Sequence, residues 1–539
     1  MMSKTSSNPL DAPVQFDAID RRGALRAMAA LGAAAAAGTA WSAAFAADRP
    51  AAALVSGDGA AFDATVANNP WLKLFKGIDD SDPTRSDLHC ESLSVTGRWP
   101  AELRGRFYRN GPGVFERSGQ RYHHWFDGDG MVQKFTLGAA GVSHTGRFVR
   151  TGKLVAERDA KRLLYSTFGT RIESDVTVSG PDSSNVANTS VIEHAGRVLA
   201  LWEGGSAFAL DPKDLSTTGP VTWQEGYEQV PFSAHPKVDP QTGGLWNIGT
   251  YADKIVVWHI NNAGRLERVQ MRKSSYPDGM AHDFAITAKY IVLPLPPIKM
   301  DYRAIGRGAT PEQAFRFETD QPLRVLVMEK ADIAEATVFE LPARMLFHVA
   351  NACETRDGKI ELGFIGAHDN DFLVHGAMLL VAGQPAPSTG SRLHLAELDF
   401  ATGKATMQSH GVSTEFPRID PRRVGSRARF VTSLAIWKPQ PAGRGGLFHG
   451  VQTTDLSTGA VDRFDYGSDA VVDEHIVVPK PRGGERDAWL VGTVFDAKRQ
   501  VTLVNVLDAQ RVADGPIARA ALPYALPPGF HGNFTPASA

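Results

Sequence analysis

From about Glu91 to the C-terminus the chain alternates short β-branched and aromatic runs with clusters of Gly, Pro, Asn and Asp, and almost no helical periodicity intervenes. Short apolar runs bounded by turn formers are the signature of strands. Strands are therefore predicted at Val191-Ile192, Arg197 to Leu201, Lys254 to Trp258, Tyr290 to Leu293, Leu323 to Met328 and Val501 to Val506. Turns are predicted at Gly128-Asp129-Gly130, Asp239 to Gly244, Thr402-Gly403 and Ser457-Thr458-Gly459. Many strands without helices between them indicate a sandwich, a barrel or a propeller. The length of the pattern favours a propeller, because radial repetition enlarges a β fold without exposing long edges. No strict blade repeat such as a Trp-Asp dipeptide marks the blades. Two short helices are expected in excursions from the β body. One covers Ala156 to Leu164; the other runs to Arg316 from an N-cap at Thr310 followed by Pro311 and Glu312.

Composition excludes several classes. A hydrophobic fraction of 43% is too high for a disordered chain, and 2 Cys cannot build a disulfide scaffold. With 57 Lys+Arg against 59 Asp+Glu, the charge does not suit a general nucleic-acid binder. Cys90 and Cys353 are far apart in sequence and are expected to be buried thiols.

Residues 1–46 differ from the rest. Arg21-Arg22 precede an Ala-, Gly- and Leu-rich stretch ending in Ala44-Phe45-Ala46, which reads as a twin-arginine export signal with a small-x-small cleavage site. A transmembrane anchor is the competing reading, but so much Ala and Gly is poor at partitioning into lipid. Cleavage after Ala46 would leave a single mature domain, 47–539, in a bacterial periplasm. The signal carries four basic and three acidic residues, so the net charge moves only from −2 to −3. Passengers of this route usually acquire cofactors before crossing, which suits a metal enzyme.

Four of the sixteen histidines lie in similar surroundings, at the edge of a predicted strand or turn: Ala234-His235-Pro236, Ala281-His282-Asp283-Phe284, Phe347-His348-Val349 and Phe530-His531-Gly532. A lone histidine is more often a satisfied structural residue than a ligand. In a propeller, however, strand ends from different blades meet at the axis, where widely spaced histidines can converge.

Several longer segments resemble the carotenoid cleavage oxygenase family. They are Leu103 to Pro112, His124 to Met131, Leu199 to Gly205, the segments around His235, His282 and His348, Glu415 to Pro421, Asp473 to Pro479 and Phe530-His531-Gly532. They occur in the family's order over nearly all of the mature chain. The resemblance implies an all-β fold, a seven-bladed β-propeller with a cap of helices and loops over one face. It also implies non-haem Fe(II) on the axis, held by His235, His282, His348 and His531. Four neutral imidazoles suit Fe(II) and leave positions open for dioxygen on a metal that prefers six ligands. Glu203, Glu415 and Glu474 match the family's outer glutamates, each accepting the far N–H of an imidazole and fixing its tautomer. Thr189 falls where relatives place a threonine beside the open coordination position.

The implied reaction is oxidative cleavage of a C=C bond by dioxygen, giving two carbonyl products from an apolar alkene held in a tunnel. No nucleic acid is involved; oligomeric state and contact of the tunnel mouth with a membrane are left open. One branch of the family cleaves carotenoids and apocarotenals, another stilbenes and phenylpropenes such as isoeugenol. The stilbene branch grips a 4-hydroxyl with a tyrosine and a lysine. Lys153 lies where that lysine would be, whereas Trp125 stands at the expected tyrosine, with Tyr122 nearby. With Ala187 to Thr189 and Leu201 to Glu203, this is more similar to the apocarotenoid branch. A binding protein or an isomerase of this fold would keep the same histidines. Two other patterns have simpler readings. Asp127-Gly128-Asp129-Gly130 lacks the glutamate a calcium loop needs, since the twelfth position is Gly138, and is expected to be a hairpin turn. Glu415 and Asp420 as a glycosidase pair is made unnecessary by the histidines.

Overall fold

The computed structural model describes residues 58–537, apart from 82–86, 140, 175, 252, 278 and 442. The proposed export signal, residues 1–46, lies outside the described residues. Seven antiparallel sheets of four or five strands form a seven-bladed propeller. Within a blade, successive strands pair with their chain neighbours, and each predicted strand is present. Arg197–Leu201 coincides with its predicted run, and Ser190–His194, Lys254–Ile260, Tyr290–Leu295, Leu323–Glu329 and Val501–Asp508 extend theirs by a residue or more. Blades 2 to 6 span 190–220, 237–273, 285–341, 345–410 and 413–465.

Blades 1 and 7 join the ends of the chain. The C-terminal strand Gly532–Pro536 pairs with Gly105–Arg109 as the inner edge of blade 1, and the N-terminal strand Ser94–Gly97 pairs with Pro516–Ala521 as the outer edge of blade 7. The ring is thus closed twice by backbone hydrogen bonds. The core lies between neighbouring blades. Phe107, Phe135, Val491 and Val504 pack between blades 1 and 7, and Val325, Phe339, Leu362 and Phe364 between blades 4 and 5. Strand Gly141–Phe148 shows the pattern that drives this, since every second residue, from Val142 to Phe148, is buried. Trp258 is fully buried between blades 2 and 3 and donates its indole N–H to Pro231 O at 3.1 Å.

The predicted turns at Asp239 to Gly244, Thr402-Gly403 and Ser457-Thr458-Gly459 are hairpins, and Gly243, Gly403 and Gly459 adopt the left-handed backbone such turns require. Gly128-Asp129-Gly130 is not a hairpin. It follows a 3-10 turn, Trp125–Asp127, and Gly130 bridges back to Pro112 instead of joining two paired strands. Its carboxylates explain the difference: Asp127 accepts bonds from Gly169 N and Thr170 Oγ1, and Asp129 is buried in ion pairs.

The cap is built from four excursions on one face of the ring. They are the N-terminal segment with Asp58–Val66 and Leu72–Lys76, the helix Gly152–Ala160, the paired strands Ile298–Met300 and Phe315–Phe317 with helices between them, and the turns Phe372–Gly376 and Ala377–Val381. The helix expected from Ala156 begins earlier, at Gly152, because Thr151 caps it by accepting from Leu154 N at 3.1 Å. It stops at Lys161, which takes a left-handed conformation. The second helix, Pro311–Ala314, has the expected Thr310 cap, closed reciprocally by Gln313, and ends short of Arg316 where Phe315 enters the strand. Cys353 is buried, Cys90 is half-buried, and neither is bonded to the other. Among the described residues no helix is long and apolar enough to cross a membrane.

Candidate metal centre

Every blade contributes one side chain to the axis. His531 immediately precedes the inner strand of blade 1, and Glu203 follows the second strand of blade 2. His235 and His282 lie just ahead of the inner strands Lys237–Val238 and Ala285–Ile286 of blades 3 and 4. His348, Glu415 and Glu474 belong to the inner strands Met345–Glu354, Ser413–Arg418 and Ala470–Pro479 of blades 5, 6 and 7. In these last three strands the pairing register slips at the site, between Leu346 and Val349, Glu415 and Arg418, and Val472 and His475. Such bulges re-aim a side chain out of the regular alternation. At Phe416 the bulge holds a left-handed backbone with φ 56°, and its N–H donates to Glu415 Oε2 at 2.7 Å.

The four imidazoles are buried and mutually in contact. Ring centroids are 4.4 Å apart for His235–His282, 4.6 Å for His235–His531, 4.7 Å for His348–His531 and 5.2 Å for His282–His348. On three rings Nδ1 faces a carboxylate. His348 Nδ1 is 2.5 Å from Glu415 Oε2, His531 Nδ1 is 3.0 Å from Glu474 Oε1, and His282 Nδ1 lies against Glu203 Oε1. With the proton held on Nδ1, the Nε2 lone pairs point inward. His348 Nε2 and His531 Nε2 approach to 3.1 Å, and the Nε2 atoms of His235 and His282 are buried without a hydrogen-bond partner. Converging buried lone pairs repel one another unless a cation lies among them, so the donor set fits a metal ion.

Three carboxylates around the site are paired with cations. Glu474 is held by Arg418 in a two-pronged pair at 2.8 and 2.9 Å, and Asp283 by Lys237 at 2.7 Å. Asp473 is likewise paired with Arg109 at 2.9 Å. Glu203 and Glu415 instead face His282 and His348, and among the described residues neither is paired with a Lys or Arg. Burial and the three neighbouring imidazoles push His235 well below the ordinary histidine range. Burial brings His531 down to about 4, against the opposing pull of Glu474. Burial also acts to lower His348, but Glu415 outweighs it and raises the ring's basicity. Burial acts to raise Glu474, yet Arg418 and His531 hold it well below the usual carboxylate range.

A cavity of about 1000 Å³ extends from the histidines beneath the cap. Its walls include Phe126, Phe168, Phe347, Phe416, Phe530 and Trp125, with Met280, Met300 and Met345. An aromatic path leads from it to the axis, because Trp125 packs on Phe530 at 5.0 Å and Phe530 adjoins His531. Thr189 also lines the cavity; its carbonyl accepts from His531 N at 3.3 Å and its hydroxyl donates to Asn188 Oδ1 at 3.0 Å.

Lys153 is placed elsewhere. It is fully buried on the cap helix, behind the cavity wall, and its ammonium donates to Tyr122 Oη, to Asp129 Oδ1 at 2.9 Å and to Glu157 Oε2 at 3.0 Å. Arg117 completes this network by pairing with Asp80 and with Asp129 at 2.7 Å. Its charge is directed at carboxylates, and it is not among the residues that line the cavity. Asp420 is paired with its neighbour Arg422 and stands in no acid pair with Glu415, which is bound to His348. The residues missed by motif reading are Lys237, Asp283 and Arg418. Their only signal was position, each lying within three residues of a histidine or glutamate of the site.

Residues 82–536 match the family described as retinal pigment epithelial membrane protein. The chain belongs to this family. Among its relatives, the apocarotenoid-15,15'-oxygenase of Synechocystis is 30% identical over 86% of this chain and 96% of its own. The isoeugenol monooxygenase of Pseudomonas nitroreducens is 28% identical over 84% and 96%. A lignostilbene dioxygenase from Pseudomonas brassicacearum superposes with a TM-score of 0.75 at 27% identity, covering 84% of this chain and 96% of that one. The cobalt-substituted Synechocystis apocarotenoid oxygenase superposes equally well, with a TM-score of 0.75 at 26% identity over 87% and 98%. The protein is an oxidoreductase of the alkene-cleaving oxygenase class.

Glu415→Gln is expected to lower metal affinity about ten- to a hundredfold, the usual cost of losing a partner behind a ligand; chelator competition on the purified protein measures it, and wild-type affinity would contradict the geometry. Lys153→Met, which leaves Asp129 and Glu157 to share Arg117, is expected to cost about 3–5 kcal/mol of stability in chemical denaturation, with equal proportional losses of turnover on phenolic and non-phenolic alkenes. A loss confined to phenolic substrates would restore a substrate role.

Proposed function

We propose that the protein is an iron(II)-dependent dioxygenase that cleaves one C=C bond of a carotenoid or apocarotenoid to two carbonyl products. The observation that carries this reading is the character of the cavity at the histidines. It is large, aromatic, and among the described residues no Lys or Arg lines it. A long neutral polyene suits such walls, whereas ionising a phenol needs a nearby cation. The relatives' identities, 30% and 28%, are too close to choose between apocarotenoid and isoeugenol. Phenylpropenes and stilbenes are therefore the competing substrates.

The overall change balances without a reductant, since the alkene carbons lose the four electrons that dioxygen gains and each product takes one oxygen atom. His235, His282, His348 and His531 would hold iron(II), which when bound supplies dioxygen binding and activation. Glu203, Glu415 and Glu474 keep three imidazoles in one tautomer and orientation. The aromatic walls exclude water and hold one double bond against the axis, so that reaction begins from an oriented pair. Thr189, its hydroxyl engaged by Asn188, leaves a methyl to narrow the space beside His531 and bias where dioxygen sits.

Incubation of the iron-loaded protein with an apocarotenal and, separately, with isoeugenol or a 4-hydroxystilbene under labelled dioxygen tests the reading by product mass. Two labelled carbonyl fragments from the apocarotenal, formed faster than from either phenol, are expected. Faster phenol cleavage would transfer the assignment to the stilbene branch, and isomerisation without oxygen would end the oxygenase reading.

Export to the periplasm through the twin-arginine route is part of the proposal, resting on Arg21-Arg22 and the Ala44-Phe45-Ala46 site. The periplasmic protein is expected to begin at Ala47 by intact mass, and Arg21→Lys/Arg22→Lys to retain the precursor in the cytoplasm. A precursor that is exported unchanged in that variant would refute the route.

A further inference from the structure

Asp283 is only 2% exposed, deeper than the glutamates that face the imidazoles, and its bonds go elsewhere. Oδ1 accepts from Lys237 Nζ at 2.7 Å and from Phe284 N at 2.7 Å, and Oδ2 accepts from Val349 N at 2.8 Å. Each partner flanks a histidine. Lys237 is two residues beyond His235, Asp283 itself follows His282, and Val349 follows His348. One carboxylate therefore bonds the chain beside the site in blades 3, 4 and 5. The bulge at His348 makes this contact available, because it interrupts regular pairing between Leu346 and Val349 and turns the Val349 N–H toward blade 4.

Lys237 balances the arrangement. Paired with Lys237, Asp283 contributes geometry without net charge. The ammonium also lies 5.7 Å from the Phe284 ring, which fixes the pair from a second side. Backbone donors on Oδ1 and Oδ2 lock the carboxylate in place, so a shift of any of the three segments must break a charge-assisted hydrogen bond.

We propose that Asp283, paired with Lys237, is a positioning residue that sets the spacing of His235, His282 and His348 for a metal ion. The inference rests on the histidine-ligand reading above. Asp283→Asn keeps shape but turns an amide NH2 toward donors on one side, either Val349 N–H or Phe284 N–H with the Lys237 ammonium. Lys237→Gln removes the charge from a side chain that is 19% exposed and leaves the backbone bonds intact.

The test uses the purified full chain titrated with cobalt(II), reading affinity by chelator competition and coordination geometry by the visible absorption bands. Asp283→Asn is expected to bind cobalt(II) about tenfold or more weakly and with displaced bands. Lys237→Gln should move both readings in the same direction by less, and the double variant should be no worse than Asp283→Asn alone, as coupled residues require. Wild-type bands in Asp283→Asn would overturn the proposal, even with some loss of affinity, because a merely stabilising residue leaves the coordination geometry unchanged. If Asp283→Asn does not fold, Lys237→Gln decides: shifted bands support the proposal, unshifted bands overturn it. His282→Ala tests the underlying reading separately, because full cobalt(II) binding by that variant would remove the ligand assignment and the proposal with it.

Discussion

Closure of the ring and assembly of the site are one physical event. His531 reaches the axis only because Gly532–Pro536 docks against Gly105–Arg109, and the same docking places Gly532 N on Glu474 Oε2 at 2.7 Å. Until the C-terminal strand pairs, blade 1 has an open inner edge and the imidazole cluster lacks a member. Loop closure over more than four hundred residues between these partners is entropically costly, although the cost rises only logarithmically with length. The two-way Velcro, with the N-terminal strand on blade 7 and the C-terminal strand on blade 1, spreads that cost over two rows of hydrogen bonds.

What the closed ring then offers is a place where charge can be set without water. Stripped of solvent, His235 and His531 are pulled well below the ordinary histidine range. Carboxylates in the same low-dielectric region would each demand compensation. The fold answers this selectively, with Arg418 for Glu474, Lys237 for Asp283 and Arg109 for Asp473, and among the described residues with no Lys or Arg for Glu203 or Glu415. Glu415 also raises the basicity of His348, which would strengthen that ring as a donor to a metal ion.

Much of this was legible in the residues. The strand and turn pattern gives blades because β-branched alternation and left-handed glycines are local effects, and Gly243, Gly403 and Gly459 sit where such turns need them. The histidines and glutamates were legible through motifs, since each lies on a short segment whose neighbours are also constrained by packing at the axis. What stayed hidden depends on tertiary placement. The bulges at His348, Glu415 and Glu474 arise from pairing between strands, and nothing local announces them. Asp129 looked like turn chemistry because Asp between glycines usually is, yet Arg117 and Lys153 draw it into a buried pair from segments 12 and 24 residues away.

Lys153 shows how a right motif position acquires a different task. Thr151 starts the cap helix one turn before its composition suggests, which puts Lys153 on the face that meets Asp129 and, one turn on, Glu157. A buried ammonium held between two carboxylates has no free charge to lend to a ligand, and burial itself forbids its release, because each partner would be left ionised in a medium that solvates it poorly. Glu157 extends the hold by accepting from Leu164 N and Tyr165 N, fixing the chain that runs on to Phe168 in the cavity wall. The network therefore acts on the cavity through its shape, by anchoring one of its walls.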